Sequence, residues 1–158
     1  MCLAVQGASS VQLTDRASQI PLIERNIARS KALCGTNPTV TAVEMEWSTF
    51  DAAAARADLQ RTDLVVASDC VYGNESSLPL ANVLVGVLKA GSAGARLLFC
   101  YERRLPHPAR DVSYADEFFN VMLTFCRVER LSGTLEADDI SDFVMAHAVT
   151  VIRVQKIE

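Results

Sequence analysis

A doubly wound α/β fold, with a mostly parallel sheet and an antiparallel hairpin at its C-terminal end, is what this 158-residue sequence predicts. Three observations carry that expectation. Short β-branched or apolar runs alternate with longer amphipathic segments, as in strand–helix–strand units. Two of the runs, DLVVAS (63–68) and ARLLFCYE (95–102), are almost continuously apolar, which is how strands buried on both faces read. The last two runs have only Gly133 and an acidic loop (136–142) between them, with no helix, so they form a hairpin.

Taken in order, residues 1–6 read as the tail of a helix stopped at Gly7. Residues 11–15 form a short buried strand ending in an acid, Asp15. A helix over 18–33 follows: Ile20, Ile23, Ile27 and Ala28 recur at helical spacing, Pro21 falls in the tolerant first turn, and Gly35 ends it. TVTAVEMEW (39–47) is β-branched and alternating, a second strand, and DAAAARADLQR (51–61) has the propensity of a short surface helix. The run 63–68 is the central strand, followed by the polar cluster DCVYGNES. A helix over 77–90 has Ser76 or Ser77 as its N-cap, Pro79 in its first turn and Gly91 beyond its end. After the strand 95–102 comes an amphipathic helix, 111–125, with Phe118, Met122 and Phe125 on one stripe. RVERL (127–131) and FVMAHAVTVIRV (143–154) make the closing hairpin.

Composition narrows the function classes. The length suits one domain, no repeat or linker divides it, and half the residues are hydrophobic, too many for a disordered chain. A net charge of −4 and a pI near 5.2 exclude a nucleic-acid binder that relies on a basic surface. No apolar run approaches the roughly 18 residues of a membrane span. MCLAVQG at the start lacks the basic flank and the length of a signal peptide. Five widely spaced cysteines fit neither a metal site nor a disulfide framework, so free thiols in a reducing compartment, the cytoplasm or the nucleus, are expected.

Four places hold residues suited to chemistry. Asp15 ends a strand, where a carboxylate offers two acceptor oxygens to the two hydroxyls of a ribose; a turn or cap aspartate is the plainer alternative. Glu44, Glu46 and Trp47 end the second strand, where an acid and an indole suit an adenine pocket, or the indole packs in the ordinary way. Asp69 and Tyr72 lie three apart in the loop after the most buried strand, an acceptor and an aromatic face for an amine, or a capped polar loop. Glu102 in YERR (101–104) either reaches a pocket or pairs with Arg103 at the surface. His107 and His147 have no metal-ligand spacing and no nucleophile elbow to serve.

The order GASSVQLTDR, LIERNI, VEMEW, DLVVASDCVYG, LLFCYERR resembles the family-16 methyltransferase-like proteins, over residues 7–104 with a final helix and hairpin to follow. These are class I S-adenosylmethionine-dependent enzymes, many of which methylate lysines of non-histone proteins. Their D-x-x-Y marker is matched by Asp69, Cys70, Val71 and Tyr72. The resemblance implies a Rossmann-like methyltransferase sheet, S-adenosylmethionine as cofactor, and a protein rather than a nucleic acid or a membrane as partner. By position, Asp15 would bind the cofactor ribose. Glu46, where the family usually has aspartate, would meet the adenine with Trp47, and Ser68 would lie beside the methionine portion. Asp69 and Tyr72 would shape the methyl-acceptor site as its catalytic pair, and Tyr101 and Glu102 would border the substrate channel.

The family's first strand and its Gly-x-Gly-x-Gly loop have no counterpart in these 158 residues. That loop brings backbone N–H groups close to the cofactor because glycine leaves room for them. The expectation is a methyltransferase domain cut inside its first helix, with weak cofactor binding, doubtful activity and self-association through exposed central strands. The alternative from another class is a non-catalytic protein-binding fragment.

Overall fold

Two parallel strands and the helix that connects them make up the first part of the molecule. The computed structural model describes residues 7–34, 39–102, 113–130 and 149–156, and the chain divides into two units, Met1–Phe50 and Asp51–Glu158. In the first unit β1 (Ser10–Asp15) pairs in parallel with β2 (Thr39–Glu44), from Ser10 opposite Thr39 to Asp15 opposite Glu44. A parallel pair cannot be joined by a tight turn. The crossover here is a 3-10 turn, Ala17–Gln19, running into α1 (Ile20–Cys34). Pro21 is the second residue of α1, where an N–H would have had no partner within the helix. Ile20, Ile23 and Ile27 form its half-buried stripe, while Ala28 is exposed.

The second unit is a four-stranded sheet in the order β3, β4, β6, β5. β3 (Leu64–Ser68) and β4 (Arg96–Glu102) are parallel and joined through α3 (Asn74–Ala90). After α4 (Ser113–Phe125) the chain passes directly into β5 (Cys126–Arg130), and β6 (Val149–Lys156) runs antiparallel to both β4 and β5. The expected C-terminal hairpin is therefore present. Leu80, Leu84 and Leu88 recur every four residues on the buried side of α3, and Leu97 and Phe99 alternate inward from β4. Phe99 stacks on Phe118 of α4 with ring centroids 5.0 Å apart, and Phe119 meets it edge-on at 6.3 Å. Gly86 lets the half-buried Ala52 approach α3, since a Cβ at Gly86 would stand 2.7 Å from the Ala52 methyl.

Several expectations are corrected. β3 is not buried on both faces: Val65 and Ala67 face inward, but Leu64 is 40% and Val66 51% exposed. Their partners across the ladder, Arg96 and Leu98, are exposed and half-buried, so this face of the pair lacks the cover that α4 gives Phe99 on the other. β1 is also only partly covered, with Val11 buried, Leu13 half-buried and its other residues exposed. The helix expected over 51–61 shrinks to one turn, α2 (Arg56–Leu59). Asp51 Oδ1 accepts the Ala53 and Ala54 N–H groups at 2.8 and 3.2 Å, and that local turn displaces the helix despite the alanines. α3 begins at Asn74 with Gly73 as its N-cap, so Ser76 and Ser77 are helical residues rather than caps. Phe125 ends its stripe exposed, with the Lys89 ammonium 4.0 Å from its ring centroid. The expected elements at 1–6 and 143–148, with Gly35, His107, Gly133 and His147, lie outside the described residues.

Among the described residues β1 has β2 as its ladder partner and β3 has β4, in separate sheets. No described helix is long and apolar enough to cross a membrane, and no described cluster of His, Cys, Asp and Glu could hold a metal ion.

Phe99→Ala is expected to lower unfolding free energy by about 3–5 kcal/mol in urea titration, whereas Val66→Ala costs under about 1 kcal/mol. Burial pushes the Cys126 thiol above its ordinary pKa, with the Lys89 ammonium partly opposing. A raised pKa means less thiolate at a given pH, and the thiolate is the reactive form. Iodoacetamide at mildly alkaline pH should therefore label the half-buried Cys70 and Cys100 before Cys126, as read by peptide mapping.

Candidate functional site

In an open α/β sheet ligands sit beyond the carboxyl ends of the parallel strands. Each unit carries such an end, and each end gathers residues singled out in the sequence.

In the first unit Asp15 is the last residue of β1, with its carboxylate exposed. Its Oδ1 accepts the Arg16 N–H at 2.8 Å, a single bond that leaves a carboxylate with acceptor capacity. The Asp15 carbonyl accepts the Met45 N–H at 2.8 Å, which carries the β1–β2 ladder one residue beyond the strands. Glu44 ends β2 opposite Asp15, while Glu46 and Trp47 lie just outside the strand, in a turn closed by the Thr49 N–H donating to the Glu46 carbonyl at 3.2 Å. Ser48 Oγ donates to Glu46 Oε1 at 3.3 Å, and Trp47 is half-buried. Asp15, Glu46 and Trp47 thus share one sheet end, two exposed acids beside an indole. Hydroxyls and an exocyclic amine are what such acids accept from, and the indole supplies an apolar wall.

In the second unit Ser68 ends β3 opposite Cys100 of β4. The Asp69 N–H donates to the Cys100 carbonyl at 2.9 Å, again one residue past the strand. Asp69 then turns the chain off the sheet with φ of 51°, in the left-handed region that aspartate tolerates better than most residues. Cys70 Sγ donates to the Ser68 carbonyl at 3.2 Å. Val71 is buried, and Tyr72 next to it is 54% exposed. Tyr101 and Glu102 close β4 opposite Thr150 and Val149, so the backbone brings them to the same end.

Two features of this end are not legible as site residues in the sequence. One is the left-handed backbone of Asp69, for which the only signal is that the residue is an aspartate. The other is the Gly73 carbonyl, which accepts the Ser77 N–H at 3.2 Å, Ser77 Oγ at 2.6 Å and Ser76 Oγ at 3.2 Å. The serines read as caps because capping is their commonest helical role.

Comparison with known proteins places the chain in a family. One protein family, described as lysine methyltransferase, matches residues 1–125. A search of the curated proteins finds no match. Among solved structures, a TehB-like SAM-dependent methyltransferase from Corynebacterium glutamicum superposes with a TM-score of 0.54 at 16% identity, covering 99% of this chain and 72% of its own. The S-adenosylmethionine-dependent methyltransferase SibL, in its apo form, gives 0.54 at 12% identity over 94% of this chain. This chain spans only 44% of SibL. A variant of the 16S rRNA (adenine(1408)-N(1))-methyltransferase from Catenulisporales acidiphilia gives 0.51 at 16% identity, covering 99% of this chain and 92% of its own. With strands, crossovers and strand-end residues in the order already described, the chain belongs to the lysine methyltransferase family and has the fold of S-adenosylmethionine-dependent methyltransferases.

Proposed function

We propose that this chain serves methyl transfer from S-adenosylmethionine to a lysine side chain of a protein. The observation that carries the reading is the Asp69–Tyr72 loop, which the Cys100 carbonyl fixes at the end of β3 with Tyr72 facing solvent, in a chain of the lysine methyltransferase family.

The residues of the first unit fit the nucleoside half of the cofactor. Asp15 offers acceptors to ribose hydroxyls, Glu46 to the adenine amine, and Trp47 a wall for the base. Ser68 at the end of β3 is the candidate neighbour of the methionine portion. Bound there, the cofactor supplies an electrophilic methyl group. In the second unit, taken by itself, the loop after β3 suits an amine. A lysine amine, with an ordinary pKa near 10.4, must shed a proton to bulk water before its lone pair can attack. Asp69 accepts an N–H of the amine and Tyr72 gives it an aromatic face, so the pair orients nitrogen rather than abstracting its proton. Orientation of this kind supplies much of the rate in a bimolecular transfer. Tyr101 and Glu102, at the end of β4, border the path of the lysine chain.

A second reading, a non-catalytic protein-binding fragment, is favoured by one observation: none of the 158 residues forms a Gly-x-Gly-x-Gly run, so the backbone donors such a loop supplies are not among them. On that ground the chain by itself is expected to bind S-adenosylmethionine more weakly than micromolar in calorimetry, and micromolar affinity would contradict this.

With saturating cofactor carrying a labelled methyl group and a protein extract, label is expected on lysine, seen as methyl-lysine after acid hydrolysis. Asp69→Ala and Tyr72→Ala should each cut that transfer by about tenfold or more while leaving cofactor affinity unchanged, because their interactions are made with the acceptor. Label on RNA or on a small molecule would overturn the protein-lysine reading, and no transfer at all would favour the fragment.

A further inference from the structure

Ser77 has a buried polar side chain, 0% exposed. A hydroxyl closed off from water needs a partner within the protein. Its partner is the Gly73 carbonyl, at 2.6 Å, short for a neutral O–H···O bond. The same carbonyl takes the Ser77 N–H at 3.2 Å and the half-buried Ser76 hydroxyl at 3.2 Å.

Two features make this bond matter where it stands. The start of α3 has no side-chain cap, because Gly73 occupies the N-cap. Pro79, inside the helix, has no N–H to give to the Glu75 carbonyl, so the first turn is short of a second backbone bond. Glycine is not required at position 73 for its shape: its φ of −169° is extended backbone, and an added Cβ would meet only Ser76 Oγ, at 3.9 Å. What the site uses is the carbonyl.

That carbonyl closes the loop bearing Asp69 and Tyr72. Among the contacts that hold the loop are the Asp69 N–H on the Cys100 carbonyl, the buried Val71 side chain, and the Gly73 carbonyl on Ser77. Tyr72 lies between the last two and is itself 54% exposed, so its place depends on the backbone to either side rather than on packing of its ring.

We propose that Ser77 is a positioning residue: its hydroxyl, acting through the Gly73 carbonyl, holds the backbone from which Asp69 and Tyr72 are presented. The proposal rests on reading those two as acceptor-site residues, but the latch can be tested without any reaction. Amide hydrogen exchange and tyrosine ring NMR would be measured on the parental chain, Ser77→Ala and Ser76→Ala. Ser77→Ala is expected to speed exchange at Asp69 and at residue 77 about tenfold, the size of one lost hydrogen bond, with the β4–β6 ladder unchanged. It should also shift the Tyr72 ring signals, identified with Tyr72→Phe. Ser76→Ala, which loses the longer bond, should leave both readouts near their parental values. Unchanged exchange and ring signals in Ser77→Ala would overturn the latch. Equal acceleration throughout β3, β4 and β6 would overturn it too, by reducing Ser77 to a residue of general stability. Failure of the parental chain to transfer methyl groups would count against the reaction alone, since exchange and ring signals decide the latch.

Discussion

The hydrogen bond from the Asp69 N–H to the Cys100 carbonyl, 2.9 Å long, depends on β3 and β4 running parallel with Ser68 opposite Cys100. A one-residue slip of that register would exchange the two faces of β3 and move Asp69 off its acceptor. β4 fixes the register because it is committed on every side. It pairs with β3 along one edge and β6 along the other, and it puts Leu97 and Phe99 into the core. The stacking of Phe99 on Phe118 ties that core to α4, which leads straight into β5 and the hairpin. The placement of the D-x-x-Y loop is thus a consequence of aromatic packing one residue away from it on the neighbouring strand.

Where the loop leaves the sheet, the backbone takes a conformation with an intrinsic cost. A left-handed residue other than glycine costs on the order of 1 kcal/mol and persists only where its surroundings overdetermine it. Here those surroundings are the ladder bond before the turn, the buried Val71 within it and the Gly73 carbonyl after it. The backbone that carries Asp69 and Tyr72 is consequently fixed on both sides of the turn. An acceptor site that works by orientation needs that property, since misplacement by about an ångström can cost two orders of magnitude in rate.

The first unit uses the same device in a simpler form. The Met45 N–H extends the β1–β2 ladder onto the Asp15 carbonyl, and the turn that follows carries Glu46 and Trp47. In both units the candidate residues either are the last paired residues of parallel strands, as Asp15 and Ser68 are, or stand one to four positions beyond them. The chain changes there from obligatory ladder bonding to free choice of direction, and side chains become available for ligands.

Periodicity and turn chemistry determined most of the elements. The main strands and the three longer helices fall close to where alternation and helical spacing place them, although α3 starts three residues early and so has Pro79 inside it rather than in its first turn. Asp15, Glu46, Trp47, Ser68, Asp69, Tyr72, Tyr101 and Glu102 could be picked out because they follow strands or match a family pattern. These signals are local, set by residues within a few positions of each other. What covers a face is not local, and tertiary structure alone decided it. DLVVAS is apolar enough for burial on both faces, yet Leu64 and Val66 are exposed, because no property of those residues says which distant element will lie over them. The alanine run after Asp51 has helix propensity, but the turn made by the Asp51 carboxylate and the close pass of Ala52 against Gly86 hold it otherwise. Ser77 could be read as a cap from its neighbours. That it is a buried donor to the Gly73 carbonyl depends on where α3 begins and what packs around it, which the folded chain settles and the local sequence does not.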